Sequence, residues 1–203
     1  RTSARMMIVN RASGGLEHRQ VSDLPAILQA GDLLVVNDTR VIPARIFGRK
    51  RKTGGQVEAL LLEERTPDDS TAPVTGRTPR TTTWEALLKA SRTPEAGSFL
   101  DLANGRIRAE VLGLFGNGRA LLRLTHDEPL VEILEQDGVP PLPPYIKRTK
   151  AGVDPRQTDF DRARYQTVYA RAPGAIAAPT AGLHFTPELL EQLARRGIER
   201  AAV

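Results

Sequence analysis

GDLLVVNDTR, residues 31–40, is the stretch that decides the fold. From Asp32 to Val36 the chain is a short apolar run carrying two valines, which predicts a buried strand of the kind α/β sheets use. Asn37-Asp38-Thr39 stops that strand with side chains that favour turns. Arg40 to Lys50 resumes an extended pattern, with Val41, Ile42 and Ile46 as its apolar members. Upstream, Met6 to Val9 reads as a strand followed by a Gly14-Gly15 turn. Asp23-Leu24-Pro25 opens a short helical turn that Gly31 closes.

The character changes near Arg51. Val57–Leu62, Trp84–Lys89, Ile107–Leu114 and Arg119–Leu124 are short strands separated by Gly and Asn turns, a pattern that suggests a small antiparallel barrel. Residues 66–83, rich in Thr, Pro, Asp and Arg, predict a loop between two hairpin strands. Glu128 to Gln136 predicts a helix with Leu130, Ile133 and Leu134 on one face. The run Pro140 to Tyr145 must be extended, because each proline restricts itself and its predecessor. Ala175 to Ala178 predicts another strand, and Thr186-Pro187-Glu188 starts a helix reaching about Arg196. The expected architecture is therefore an α/β sandwich domain, residues 1–52 and 139–203, interrupted by an inserted β-barrel domain, residues 53–138.

Composition narrows the function classes. The 203 residues contain no cysteine, which excludes disulfides, thiolate metal sites and a cysteine nucleophile. His18, His126 and His184 stand far apart without the spacing of metal ligands, so no metal is expected. No apolar run approaches the ~20 residues that span a bilayer. No membrane partner is expected, and the cytoplasm is the default location. The net charge of +5, from 29 Lys and Arg against 24 Asp and Glu, suits an acidic partner such as RNA without demanding one. Aromatics at 4% argue against a base-stacking platform of the single-strand-binding type.

Four stretches could carry chemistry. Asp38 and Arg40 end a strand where open α/β sheets place ligands, although a plain Asx turn beside a solvated arginine would use the same residues. The proline run presents Tyr145, Lys147 and Arg148, as a rigid strap, a recognition peptide or a linker. In Arg164–Ala170, Gln166 and Thr167 offer neutral hydrogen-bonding groups, and Tyr165 and Tyr169 either flank a ring or sit half-buried on a strand edge. Last, Ala177 to Thr186 is a run of small residues feeding a helix whose first amides point back at the loop. Its Pro179, Thr180, Ala181 and Gly182 let a ligand approach the backbone, and the helix start suits an anion. His184 there is a usable acid or base, or an incidental histidine in a tight crossover.

Asn10-Arg11, Asp23-Leu24-Pro25, GDLLVVNDTRVIPAR (31–45), PLPPYI (141–146), RYQTVYA (164–170) and GAIAAPTAGLHFT (174–186) occur in an order that resembles the S-adenosylmethionine:tRNA ribosyltransferase-isomerase family of queuosine biosynthesis. The resemblance covers nearly the whole chain and is weakest in the barrel-like middle. It implies an α/β domain carrying a β-barrel. It also implies transfer and isomerisation of the ribosyl part of S-adenosylmethionine onto 7-aminomethyl-7-deazaguanine at the tRNA wobble position. Epoxyqueuosine-tRNA would form, with adenine and methionine released. S-adenosylmethionine is then a consumed cosubstrate, with no prosthetic group. The implied roles are His184 and Asp38 as acid or base, and Pro179, Thr180, Ala181, Gly182, Thr186 and Tyr145 around the cosubstrate. Arg40, Arg45, Lys147 and Arg148 are the implied contacts to the tRNA backbone. Members of the family continue past the segment around Val203 and begin before its opening residues, so the chain is expected to be truncated at both ends. A monomer is expected at full length. The competing expectation is a noncatalytic RNA-binding fragment of the same fold.

Overall fold

A computed structural model of the chain describes residues 1–66, 79–142 and 155–203. The chain divides into two compact units. One is discontinuous, Arg1–Val41 with Ala163–Val203; the other is the continuous stretch Ile42–Arg162.

The continuous unit is a closed six-stranded antiparallel barrel. Its strands are β5 (Arg45–Lys50), β6 (Gln56–Thr66), β7 (Arg80–Ala90), β8 (Phe99–Leu102), β9 (Ile107–Gly116) and β10 (Arg119–His126), and the order around the barrel is β10-β7-β6-β5-β8-β9. A barrel this small closes only if its interior residues fit the taper. Large residues meet small ones across the register: Leu88 lies opposite Ala59, and Ala109 lies opposite both Leu100 and Leu124. Ala59, Ala109, Leu100 and Leu124 are fully buried. Gly48 is essential to closure between β5 and β8, because a Cβ there would stand 2.7 Å from Leu102 Cα and closer still to the Asp101 carbonyl oxygen. The helix α2 (Leu130–Asp137) buries Leu130, Ile133 and Leu134, the face its spacing predicts. α3 (Pro155–Arg164) ends this unit and continues into the other.

The discontinuous unit is α/β. An N-terminal hairpin pairs β1 (Arg5–Val9) with β2 (Leu16–Gln20), and Asn10 Oδ1 closes the turn by accepting from the amides of Ala12 and Ser13, each at 3.0 Å. A 3-10 turn and α1 (Leu24–Ile27) follow. Two parallel pairs then join distant parts of the chain. β3 (Leu33–Val36) pairs with β12 (Glu199–Ala202), and β4 (Thr39–Val41) pairs with β11 (Ala172–Ala175). The helix α4 (Pro187–Arg195) packs Leu189 and Leu193 against Val21 and Ile198, flanked by Met6, Leu28 and Leu34.

Four expectations change. The strand after Gly31 is not buried throughout: Val36 is buried, but Leu33 and Val35 are 57% and 56% exposed. The expected strand at 175–178 lies earlier, at Ala172–Ala175. Residues 80–83 of the expected loop are strand, held by pairing with β10. The stretch Arg45–Lys50, assigned by sequence to the α/β domain, pairs with β6 and β8 in the barrel, so the division falls at Ile42 and Arg162 instead of 53 and 138. Residues 67–78 and the proline strap beyond Leu142, with Tyr145, Lys147 and Arg148, lie outside the described residues. Among the described residues no helix is long and apolar enough to cross a membrane, and no group of three or more His, Cys, Asp or Glu could hold a metal ion.

Candidate functional site

Three of the stretches singled out by sequence converge in the discontinuous unit, and the segment from Gln166 to Arg171 stitches them together. Just after α3 the chain leaves helical geometry. At Gln166 the side-chain amide clamps the end of β4: Oε1 accepts from the Val41 amide at 3.0 Å, and Nε2 donates to the Val41 carbonyl at 2.7 Å. A primary amide is the side chain that matches a peptide group's donor and acceptor at once.

One and three residues on, Thr167 and Tyr169 meet the small-residue run. A Cβ on Gly182 would lie 2.9 Å from Thr167 Cγ2 and 3.3 Å from Tyr169 Cζ, and nearer still to Tyr169 Oη. Only glycine fits. This explains the glycine by close approach of two protein segments, whereas the sequence suggested approach of a ligand. Tyr169 also packs edge-on against Phe185, with ring centroids 6.2 Å apart. Burial pushes the Tyr169 phenol above its ordinary range, and Arg200 partly offsets this. Thr167 is buried, and its Oγ1 has no hydrogen-bond partner among the described residues.

At the far end of the segment, Arg171 returns to the turn after β3. Its amide donates to the Asp38 carbonyl at 2.7 Å, and its Nε and Nη2 both reach Asp38 Oδ2, at 3.1 and 2.9 Å. Asp38 is therefore presented as a carboxylate with Oδ1 unpartnered among the described residues. Its neighbour Asn37 spends its side-chain oxygen on the Thr39 amide at 2.9 Å and on the Thr39 hydroxyl. Asn37 thus makes an Asx turn beside Asp38. Arg40 is exposed on β4.

The run Ala177–Thr186 is not a simple loop into a helix. Thr180–His184 forms a 3-10 turn, with the Gly182 amide donating to the Pro179 carbonyl at 2.8 Å. His184 ends that turn half-buried, without a hydrogen bond among the described residues. Thr186 caps α4, its Oγ1 accepting from the Leu189 amide at 3.3 Å. The Glu188 carboxylate takes its own backbone amide and bonds Thr186, and those two contacts hold it below the usual carboxylate range. The amides expected to receive an anion are thus already partly served from within the helix.

Other expected site residues are placed elsewhere. Arg45 lies in the barrel, where Nε is 3.4 Å from Glu58 and Nη2 donates to the Leu142 carbonyl at 3.3 Å. The Glu58 ion pair and the Leu142 bond engage part of the guanidinium, while Nε itself has no hydrogen-bond partner among the described residues. An open groove of about 710 Å³ lies along α4 and β12, lined by Leu34, Leu190, Ala194 and Arg200 among others, and none of the expected site residues lines it. Sequence reasoning missed Arg171, whose signal was only an arginine just past a recognised motif. It also left the Gln166 clamp unspecified.

The whole chain, residues 1–203, matches the family model described as "Queuosine biosynthesis protein". It is 43% identical over 199 residues to the S-adenosylmethionine:tRNA ribosyltransferase-isomerase of Desulfitobacterium hafniense, covering 98% of this chain and 52% of that one. Over 204 residues it is 42% identical to the protein of the same name from Moorella thermoacetica, covering 100% of this chain and 53% of that one. Among solved structures it is similar to an S-adenosylmethionine tRNA ribosyltransferase from Thermotoga maritima, at 24% identity and a TM-score of 0.32, covering 100% of this chain and 50% of that one. The chain spans about half the length of the curated relatives it matches.

Proposed function

The chain belongs to the queuosine biosynthesis protein family, and from that premise we propose that it acts in ribosyl transfer and isomerisation on tRNA. S-adenosylmethionine is the consumed cosubstrate and 7-aminomethyl-7-deazaguanine at the wobble position is the acceptor. Adenine and methionine are released, and epoxyqueuosine-tRNA is the product. The observation that carries this reading is the convergence of Asp38, the Gln166–Arg171 segment and the 179–186 run within one unit.

The chemistry asks for a base at the carbon beside the sulfonium and an acid for departing adenine. Asp38 suits the base, since Arg171 fixes Oδ2 and leaves Oδ1 as a proton acceptor. His184 suits the acid. Pro179, Thr180, Ala181 and Gly182 form the cosubstrate wall through their backbone, with Tyr145 as a further contact. Thr186 contributes by fixing the start of α4, in place of binding a carboxylate itself. Arg40, Lys147 and Arg148 are assigned to the tRNA backbone.

The decisive assay mixes the chain with S-adenosylmethionine and tRNA carrying the deazaguanine precursor, and measures adenine by chromatography. Adenine release that falls roughly 10²- to 10⁴-fold in Asp38→Asn or His184→Ala supports the assignment. A chain that binds neither tRNA nor S-adenosylmethionine by calorimetry sinks it. A second reading is a tRNA-binding part without catalysis. Tight tRNA binding with no S-adenosylmethionine binding selects that reading.

A further inference from the structure

The barrel carries a cationic surface that the site described above does not use. Between Asp38 and Glu58 the sequence has no carboxylate, and Arg49-Lys50-Arg51-Lys52 stand in succession. Arg49 and Lys50 end β5, and Arg51 and Lys52 open the turn to β6. That turn is tight: the Lys50 amide donates to the Gly55 carbonyl at 2.9 Å, and the Gly54 amide donates back to the Lys50 carbonyl at 2.8 Å. Gly54 sits at φ +68, in the left-handed region that glycine tolerates. The cations are therefore displayed on a fixed scaffold, not on a loose tail.

Two of the four are spent internally. Lys50 Nζ donates to the Arg92 carbonyl, and Arg51 pairs with Asp101 at 3.1 Å. The Lys50 bond draws the connection after β7 up to the turn, and Arg92 with it. Arg49, Lys52 and Arg92 are exposed, and their charged groups have no partner among the described residues.

The outer face beside them is unusual in a chain with few aromatics. Arg49 is in register with Asp101, so Phe47 and Phe99, each two residues away along its strand, share that face. They are 41% and 42% exposed, while Ile46, Leu100 and Leu102 point inward and are fully buried. In register the rings stand opposite Glu58 and Glu110, and exposed rings on the face that carries Arg49 fit a partner that is anionic and carries flat bases. Carboxylates nearby are engaged: Glu58 with Arg45 and Glu110 with Arg123.

We infer that Arg49, Lys52 and Arg92 form a phosphate-contacting surface through which the barrel holds the tRNA. This rests on the tRNA-directed reading under Proposed function and names a contact that reading lacks. Each phosphate neutralised contributes about 0.7 on a single strand and about 0.9 on a duplex to the slope of log affinity against log salt. Replacing the three residues together by glutamine lowers that slope by about two to three. Raising salt from about 50 to about 200 mM then costs the variant roughly thirtyfold less affinity than it costs the parent.

The test is filter binding of tRNA to the chain across that salt range. Arg49→Gln/Lys52→Gln/Arg92→Gln is compared with Arg49→Lys/Lys52→Arg/Arg92→Lys, which keeps the charges. Tm is checked for both, and Lys52→Gln alone, on an exposed turn, serves if the triple variant unfolds. A reduced slope in the neutral variant, restored in the charged one, is the expected result. An unchanged slope in every neutral variant, with the parent binding tRNA, overturns the surface and leaves the functional reading intact. A parent that does not bind tRNA at all overturns both. Sedimentation with phosphatidylserine-containing vesicles that is lost in the neutral variant, while tRNA binding is unchanged, assigns the patch to a membrane and also overturns the inference.

Discussion

Gly182→Ala tests the packing that brings the motifs together. A methyl group at Gly182 would meet Thr167 Cγ2 at 2.9 Å and Tyr169 Cζ at 3.3 Å, with Tyr169 Oη nearer still. Carbon atoms prefer roughly 3.5–4.0 Å, so the methyl overlaps Thr167 by more than about half an ångström. Neither neighbour yields freely: Thr167 is buried, and the Tyr169 ring is packed edge-on against Phe185. Overpacking of this kind costs about 1–3 kcal/mol. The backbone φ at Gly182 is not positive, so alanine brings no backbone strain there and recovers about 0.4–1 kcal/mol by stiffening the unfolded chain. The net expectation is a loss of about 0.5–2 kcal/mol, confined to the α/β unit. Trp84, the sole tryptophan, sits in the barrel, so its fluorescence serves as an internal control. Amide exchange at Leu189 and Leu193 reports the affected unit. Tyr169→Phe removes the nearest clashing atom, so in the double variant at least about 0.5 kcal/mol should return as coupling. A Gly182→Ala protein with unchanged exchange, or one that Tyr169→Phe does not relieve at all, would refute the close-approach explanation.

Gln166→Ala removes both halves of the clamp on buried Val41, and should destabilise the α/β unit by about 1–3 kcal/mol in urea melts followed by exchange. Gly48→Ala forces a methyl against the backbone of β8, with Leu102 Cα at 2.7 Å, where no side chain can rotate away. A loss above about 3 kcal/mol in Trp84-monitored unfolding is expected. Glu85 is buried on β7, and the guanidinium of Arg65, then that of Arg119, holds its carboxyl below the usual range. Because the folded-state value is the lower one, the stabilisation is present above the unfolded value of about 4.3 and is lost as pH falls through the folded one. The gap in urea midpoint between wild type and Arg119→Gln should therefore shrink on acidification below about pH 4; a pH-independent gap would count against it.

Much of the barrel was legible because its strands alternate: β7 buries Thr82, Trp84, Ala86 and Leu88 and leaves Thr83 and Leu87 between them more exposed, with Glu85 covered by its two arginines. The helix α2 was legible from apolar spacing, and α4 from its Thr-Pro start. Strand β2 was not, since Leu16–Gln20 is exposed throughout and is held by pairing with β1 alone. Helix α3 was hidden for a similar reason, its sequence PRQTDFDRAR carrying no apolar stripe. The exposure of Leu33 and Val35 could not be foreseen, because an apolar run does not say what covers it. At the site, Asp38 and the glycine-bearing run were recognisable as types. Their connection through Gln166, Thr167, Tyr169 and Arg171 depends on contacts between distant segments, which spacing along one segment cannot encode.

The parallel pairing of Leu33–Val36 with Glu199–Ala202 also sets a timetable. The barrel between them is continuous in sequence, so it can complete itself as soon as it is synthesised. Its hairpins close in roughly microseconds. Leu33–Val36 and Glu199–Ala202 are separated by roughly 160 residues, which at about 5–20 residues per second keeps the early strand waiting roughly ten to thirty seconds for its partner. During translation the nascent chain therefore carries a finished barrel beside an unpaired apolar strand. In vivo yield should depend more on what shields Leu33 and Val35 in that interval than on the final stability of either unit.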